Sequence, residues 1–75
     1  MQIDFYTDRY FFSHAKSPRG FGCWVFEAHI AGDKMQYSTG PVSYAVAKKA
    51  ATNWVREQVA AKQSQQGVVR IIVMP

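Results

Sequence analysis

The chain has 75 residues, nine Lys and Arg against five Asp and Glu, and 48% hydrophobic residues. That is enough apolar content for a packed core and too much for disorder, while the length allows one small domain, residues 1–75, with limited burial and a narrow stability margin. The single cysteine, Cys23, excludes an internal disulfide, and no Cys/His spacing suggests a zinc module.

One cysteine points to a reducing cytoplasm. No basic region precedes an apolar stretch, so no secretory leader is expected. The longest apolar run, "VVRIIVMP", is too short to cross a bilayer, so no membrane partner is expected. Charge is unevenly spread. Met1 to Asp33 holds three cations against four carboxylates, and Lys34 to Pro75 holds six against one. A modest basic excess suits a polyanionic ligand as well as an ordinary solvated surface.

"QIDFYTDRYFF", Gln2 to Phe12, is aromatic and poor in helix formers. It predicts a strand, or two strand pieces kinked near Thr7 and Asp8. "SHAKSPRG" follows as a loop with Pro18 and Gly20 as breakers. "FGCWVFEAHIA" alternates, with Trp24, Phe26, Ala28 and Ile30 on one face and Cys23, Val25, Glu27 and His29 on the other. "AGDK" predicts a hairpin turn in which glycine supplies the unusual backbone angle, and "MQYST" returns as a third strand.

After "GPVS", Ser43 is a good helix N-cap. Tyr44 to about Gln63 predicts a helix with Tyr44, Ala47, Ala51, Trp54, Val55 and Gln58 on one stripe. Lys49, Thr52, Asn53, Arg56 and Gln63 fall opposite. "QSQQG" is a polar loop with Gly67 near the helix end, and "VVRIIVMP" closes the chain as a fourth strand.

The expected fold class is therefore α+β: a two-layer β-β-β-α-β domain with one helix on one face of a four-stranded mixed sheet. A crossover through the helix would set the last strand parallel to the first, in sheet order 3-2-1-4. Tyr6, Tyr10 and Phe12 would then alternate opposite to Ile3, Phe5 and Phe11, and Val68 and Ile72 opposite to Val69, Ile71 and Val73. A second apolar sheet face would need cover, and a symmetric homodimer is the expected solution.

The loop carries the densest chemistry. Lys16 and Arg19 are flexible cations, Ser13 and Ser17 add hydroxyls, and Gly20 and Gly22 expose backbone N–H groups. Such a loop can cradle a phosphate or an acidic side chain, or merely turn the chain. Lys49 and Arg56, with Lys48 at their flank, form a basic helix face that suits a phosphate backbone or plain solvent. Tyr6, Tyr10 and Phe12 could stack on bases or form an interface. His14 and His29 read as structural or surface residues. Asp4 and Asp8 would share a strand face, and Cys23 reads as a small buried hydrophobe.

The strand and helix pattern resembles the opening half of the ribonuclease H-like fold, with "IDFYTD" as the first strand ending in an aspartate. Asp8 stands where that family places its first metal ligand. "YAVAKKAA" has no glutamate to match the second, and no aspartate follows "VVRIIVMP". Two-metal cleavage needs several converging carboxylates, so the resemblance implies a fold without the activity, with no metal or other cofactor. The topology also resembles the antitoxin domain of HicB, without its proline-glycine motif. "GFGCWVF" through the helix resembles the arm-binding domain of tyrosine recombinases. "PRGFGCWVF" looks like a stretch in short proteins of phages and mobile elements.

The expectation is a small non-enzymatic binding module, cytoplasmic and of phage or mobile-element type, with nucleic acid as its ligand. Lys16, Ser17, Arg19, Lys49 and Arg56 would hold phosphates. The alternative is a protein-interaction module, either an antitoxin-like partner or an inhibitor of a host defence complex. A third reading is an enzyme fragment completed by another chain.

Overall fold

The structure, a computed structural model, describes residues 2–63, 65 and 67–75. The elements run β1 (Gln2–Tyr6), α1 (Asp8–His14), β2 (Phe21–Gly22), β3 (Val25–Ile30), β4 (Asp33–Ser38), β5 (Val42–Ser43), α2 (Tyr44–Ala61) and β6 (Val68–Val73). The fold is α+β, with a four-stranded mixed sheet and a long helix packed on one face. A two-stranded ribbon of β2 and β5 lies apart from the main sheet, pairing Phe21 with Ser43.

Alternation places Trp24, Phe26, Ala28 and Ile30 under α2, all buried, as the sequence pattern predicts. β6 adds Val69, Ile71 and Val73 to the same layer, each fully buried. From above, α2 contributes Ala47, Ala51 and Val55, also fully buried. The small alanines let the helix backbone approach the sheet. Trp54 lies half-buried at one side of this layer and stacks on Tyr37 of β4, with centroids 5.2 Å apart.

Local signals set the ends of α2. The Ser43 hydroxyl accepts a hydrogen bond from the Val46 N–H at 3.3 Å, closing the first turn. At the other end the left-handed residue is Gln63, φ 51°, and not Gly67. The rest of the predicted loop includes Ser64 and Gln66, which lie outside the described residues. Lys62 then reaches the β3–β4 turn, its ammonium 2.6 Å from the Asp33 carboxylate. That hydrogen bond and charge hold the exposed Asp33 carboxyl below its usual range, though an exposed pair adds little stability.

Two expectations are corrected. The sheet order is β1-β6-β3-β4, so the last strand lies between the first and second rather than at the edge, as order 3-2-1-4 has it. It is parallel to β1, as expected, and antiparallel to β3. The reason lies in burial. β6 presents three fully buried β-branched side chains to the helix, whereas Ile3 and Phe5 of β1 are only partly covered. The central position goes to the strand that buries more apolar area.

The second correction concerns Tyr10 and Phe12. β1 ends at Tyr6, and Asp8 to His14 coil into α1. Asp8 sits in the first turn, where a carboxylate suits the helix dipole. Tyr10 is the buried residue of α1. It packs 5.6 Å from Trp24, and this contact outweighs the strand propensity of an aromatic run. Tyr6, Tyr10 and Phe12 therefore do not share a sheet face, and neither do Asp4 and Asp8.

The face opposite α2 is mixed rather than apolar. Tyr6, Val68 and Ile72 alternate there with Asp4 and Arg70, and β3 adds Glu27 and His29. The Glu27 side chain is buried, with Oε1 3.4 Å from His29 Nε2 and Oε2 3.7 Å from Lys34 Nζ. Oε2 has no hydrogen-bond partner among the described residues.

The β3–β4 hairpin turns through Ala31, φ 52°, and Gly32, φ 83°. Two successive positive φ values match the type I′ turn that suits a two-residue hairpin. Glycine accepts such an angle freely and alanine does so at a cost of about 1–2 kcal/mol. Ala31→Asn, giving the preferred Asn-Gly pair, should raise the melting temperature. Ile71→Ala should cost roughly 2–5 kcal/mol, a large share of the ~5–15 kcal/mol typical of a domain. Thermal and chemical denaturation of both variants check these outcomes.

Candidate functional site

The loop after α1 is anchored at both ends. Ala15 takes the left-handed conformation, φ 56°, and its N–H donates to the Phe11 carbonyl at 2.7 Å, ending the helix. Gly20, φ 85°, offers its carbonyl to the N–H of Tyr44 at 2.8 Å. Between them Pro18 is buried, while Lys16, Ser17 and Arg19 are exposed. The proline thus pins a loop whose polar side chains stay in water.

Trp24 forms the floor beside this loop. Its backbone N–H donates to Thr39 Oγ1 at 3.1 Å, and its indole N–H donates to the Val42 carbonyl at 3.1 Å. The predicted strand from Phe21 to Ala31 breaks here into β2 and β3. Tyr10 packs on one side of the indole and Tyr44 on another, the latter 5.0 Å away. His14 stacks on Tyr10 with centroids 4.1 Å apart and planes inclined by 21°.

Tyr10, His14 and Trp24 line one cleft of about 300 Å³ together with the loop. Lys16, Arg19 and His14 bring nitrogen donors, and Tyr10, Trp24 and Phe21 bring rings. Phe21 is 77% exposed, which is costly for an apolar ring without a partner. Cys23 also lines the cleft and is exposed, correcting the expectation of a small buried hydrophobe: the strand break at Cys23 and Trp24 turns it out of the ladder. No acidic residue is among the described residues that line the cleft.

The expected site residues are therefore divided. Lys16 and Arg19 share the cleft. Ser17 is exposed on the loop between them. Lys49 is exposed on α2, and Arg56 lines a second groove with Lys48 and Thr52 against β1. Among the described residues the two depressions have no lining residue in common. Tyr6 lies on the open sheet face with the Arg70 guanidinium 5.4 Å from its ring, Tyr10 is buried in the cleft, and Phe12 is 86% exposed on α1. His14, Phe21 and Trp24 join the cleft through the α1 helix and the β2–β3 break, which the alternating pattern did not announce.

Among the described residues, no three His, Cys, Asp or Glu side chains converge to hold a metal ion. No helix is long and apolar enough to cross a membrane. No family model matches the chain, and no curated protein or solved structure resembles it significantly.

Burial pushes the Tyr44 phenol above its ordinary range. The neutral phenol therefore favours the folded state at every pH below the unfolded value of 10.0, and this contribution is lost as pH rises through the higher folded value. Denaturant midpoints should fall more steeply above pH ~10 in the parent than in Tyr44→Phe, which has no phenol to ionise. Equal alkaline slopes in the two proteins would show that Tyr44 is not shielded behind Trp24.

Proposed function

We propose that the protein is a small nucleic-acid-binding module whose cleft takes one phosphate and one base of an unpaired strand. The observation that carries this reading is the convergence of Lys16 and Arg19 with Tyr10, Trp24 and Phe21 on one cleft with no acidic side chain among its described lining residues. The chemistry divides naturally. Cations on a pinned loop suit a phosphate, and they need no sequence-specific geometry. An exposed ring suits the face of a base, which a duplex hides within its stack. The role is binding rather than catalysis, and a phage or mobile-element setting in the cytoplasm remains the accompanying proposal.

A protein partner is the second reading, as an antitoxin-like binder or an inhibitor of a host defence complex. Phe11 and Phe12 favour it, being 52% and 86% exposed on α1. Exposed phenylalanines of this kind suit a partner surface.

The readings separate by salt dependence and by mutation. Single-stranded DNA and RNA should bind with an affinity that falls as salt rises. Lys16→Ala and Arg19→Ala should each lower the log–log salt slope by about 0.7, alike for all base sequences. Phe21→Ala should cost roughly 1–3 kcal/mol of binding with the slope unchanged. None of the three should alter the melting temperature much, since all lie exposed. Bound oligonucleotide should also slow alkylation of Cys23. A parent that binds neither nucleic acid at low salt would remove this reading and leave the protein partner.

A further inference from the structure

The second groove has a different character. It lies between the edge of β1 and the flank of α2, with a volume of about 420 Å³, and is lined by Ile3, Asp4, Phe5, Lys48, Thr52 and Arg56. β1 is the terminal strand of the sheet, so no described strand pairs with its outer edge. The Gln2 N–H donates to the Gly67 carbonyl at 2.8 Å. Strand alternation then turns the N–H and C=O groups of Gln2, Asp4 and Tyr6 towards β6. Those of Ile3 and Phe5 point outwards, giving an alternating row of donors and acceptors.

Lys48, Thr52 and Arg56 stand four residues apart and form one ridge of α2 along this edge. The Lys48 ammonium sits 4.9 Å from the centroid of the Phe5 ring, which holds it beside the strand. Neither Lys48 nor Arg56 is ion-paired among the described residues. We infer that the β1 edge is a docking site for an extended acidic segment of another protein, which adds to the sheet as a fifth strand and sets its carboxylates against Lys48 and Arg56.

Spacing supports that occupant. Eight residues of helix span about 12 Å. Carboxylates four residues apart on an extended strand span about 13 Å and share one face, so a single strand can meet both cations. Asp4 projects from the opposite face of β1 and disfavours acidic residues at the intervening positions. The partner is thus acidic on alternate residues, not acidic throughout.

The same features argue against other occupants. Two copies joined edge to edge would bring Lys48 and Arg56 of one against those of the other. A DNA backbone could meet the cations but has no donors for the outward carbonyls of Ile3 and Phe5, and RNA offers only its 2′-hydroxyls, with no acceptor–donor alternation to match the strand edge. The inference does not rest on the proposed cleft function, because the two depressions share no described lining residue.

The probe is a short synthetic peptide that alternates Glu with Val or Thr, titrated into the intact protein by calorimetry and by amide exchange. Binding should slow exchange at Ile3 and Phe5, whose amides face the added strand. Lys48→Glu with Arg56→Glu should weaken binding by about tenfold or more. A Lys-for-Glu peptide should then prefer the doubly reversed variant. N-methylation of peptide amides that face β1 should abolish binding, a control that leaves the protein unaltered. Unchanged exchange at Ile3 and Phe5, or equal binding of the N-methylated peptide, would overturn the strand addition. If the double reversal instead impairs oligonucleotide binding while the peptide fails to bind, the groove serves nucleic acid and the inference falls. Lys16→Ala with Arg19→Ala should leave peptide binding intact, so failure of the cleft and failure of the edge are separately visible.

Discussion

The buried indole of Trp24 donates its N–H to the Val42 carbonyl, and segments remote in sequence close on it. Tyr10 arrives from α1 and Tyr44 from the start of α2. Thr39 accepts the backbone N–H from the chain beyond β4. A large ring with one polar tip suits this position, because its area fills the layer while its N–H satisfies a carbonyl that would otherwise be costly to bury. The loop of Lys16 and Arg19 is placed by the same junction. It starts where α1 docks on Trp24 and ends where Gly20 bonds Tyr44. Stability and candidate chemistry therefore meet at one end of the sheet.

The two helices make different use of that junction. α2 is long, capped by Ser43 and buried through Ala47, Ala51 and Val55, so it belongs to the core. α1 is short, has no side-chain cap, and buries Tyr10 alone. A helix of that kind has little stability apart from its tertiary contact. Its exposed Phe11 and Phe12 consequently sit on an element that buries one side chain. Local opening of such an element is easier than opening of the sheet, which gives a partner or ligand at this end room to reshape it.

Features governed by near neighbours were readable from the residues. The alternation from Trp24 to Ile30 marked the buried face of β3, and Ser43 marked the start of α2. The Ala31-Gly32 turn followed from glycine between two alternating runs. The fate of Tyr10 depended on a distant indole, and nothing within "TDRYFFSH" distinguishes a strand from a helix so anchored. The place of β6 was hidden for a related reason: which strand becomes central is a contest of burial among strands far apart in sequence. The site divided in the same way. Lys16 and Arg19 stayed together because Pro18 and Gly20 fix their loop locally. The helix cations were harder to place, since Lys48 rather than Lys49 turns towards β1, and that depends on which sheet edge the helix overhangs. His14 entered the cleft through the coiling of α1, and Phe21 and Cys23 through the strand break beside Trp24.

The position of β6 also shapes how the chain must be made. Among the described strands β1 pairs with β6 alone in the main sheet, so residues 2–6 lack that partner while the intervening chain is being synthesised. β3 and β4 can form their hairpin early, but β6 must leave the ribosome before it can join that hairpin to β1. The closing contacts span nearly the whole chain, which slows folding through the entropy of drawing distant segments together. Until then β1 waits as an aromatic strand with both edges unpaired, open to chaperones or to mispairing with other nascent chains.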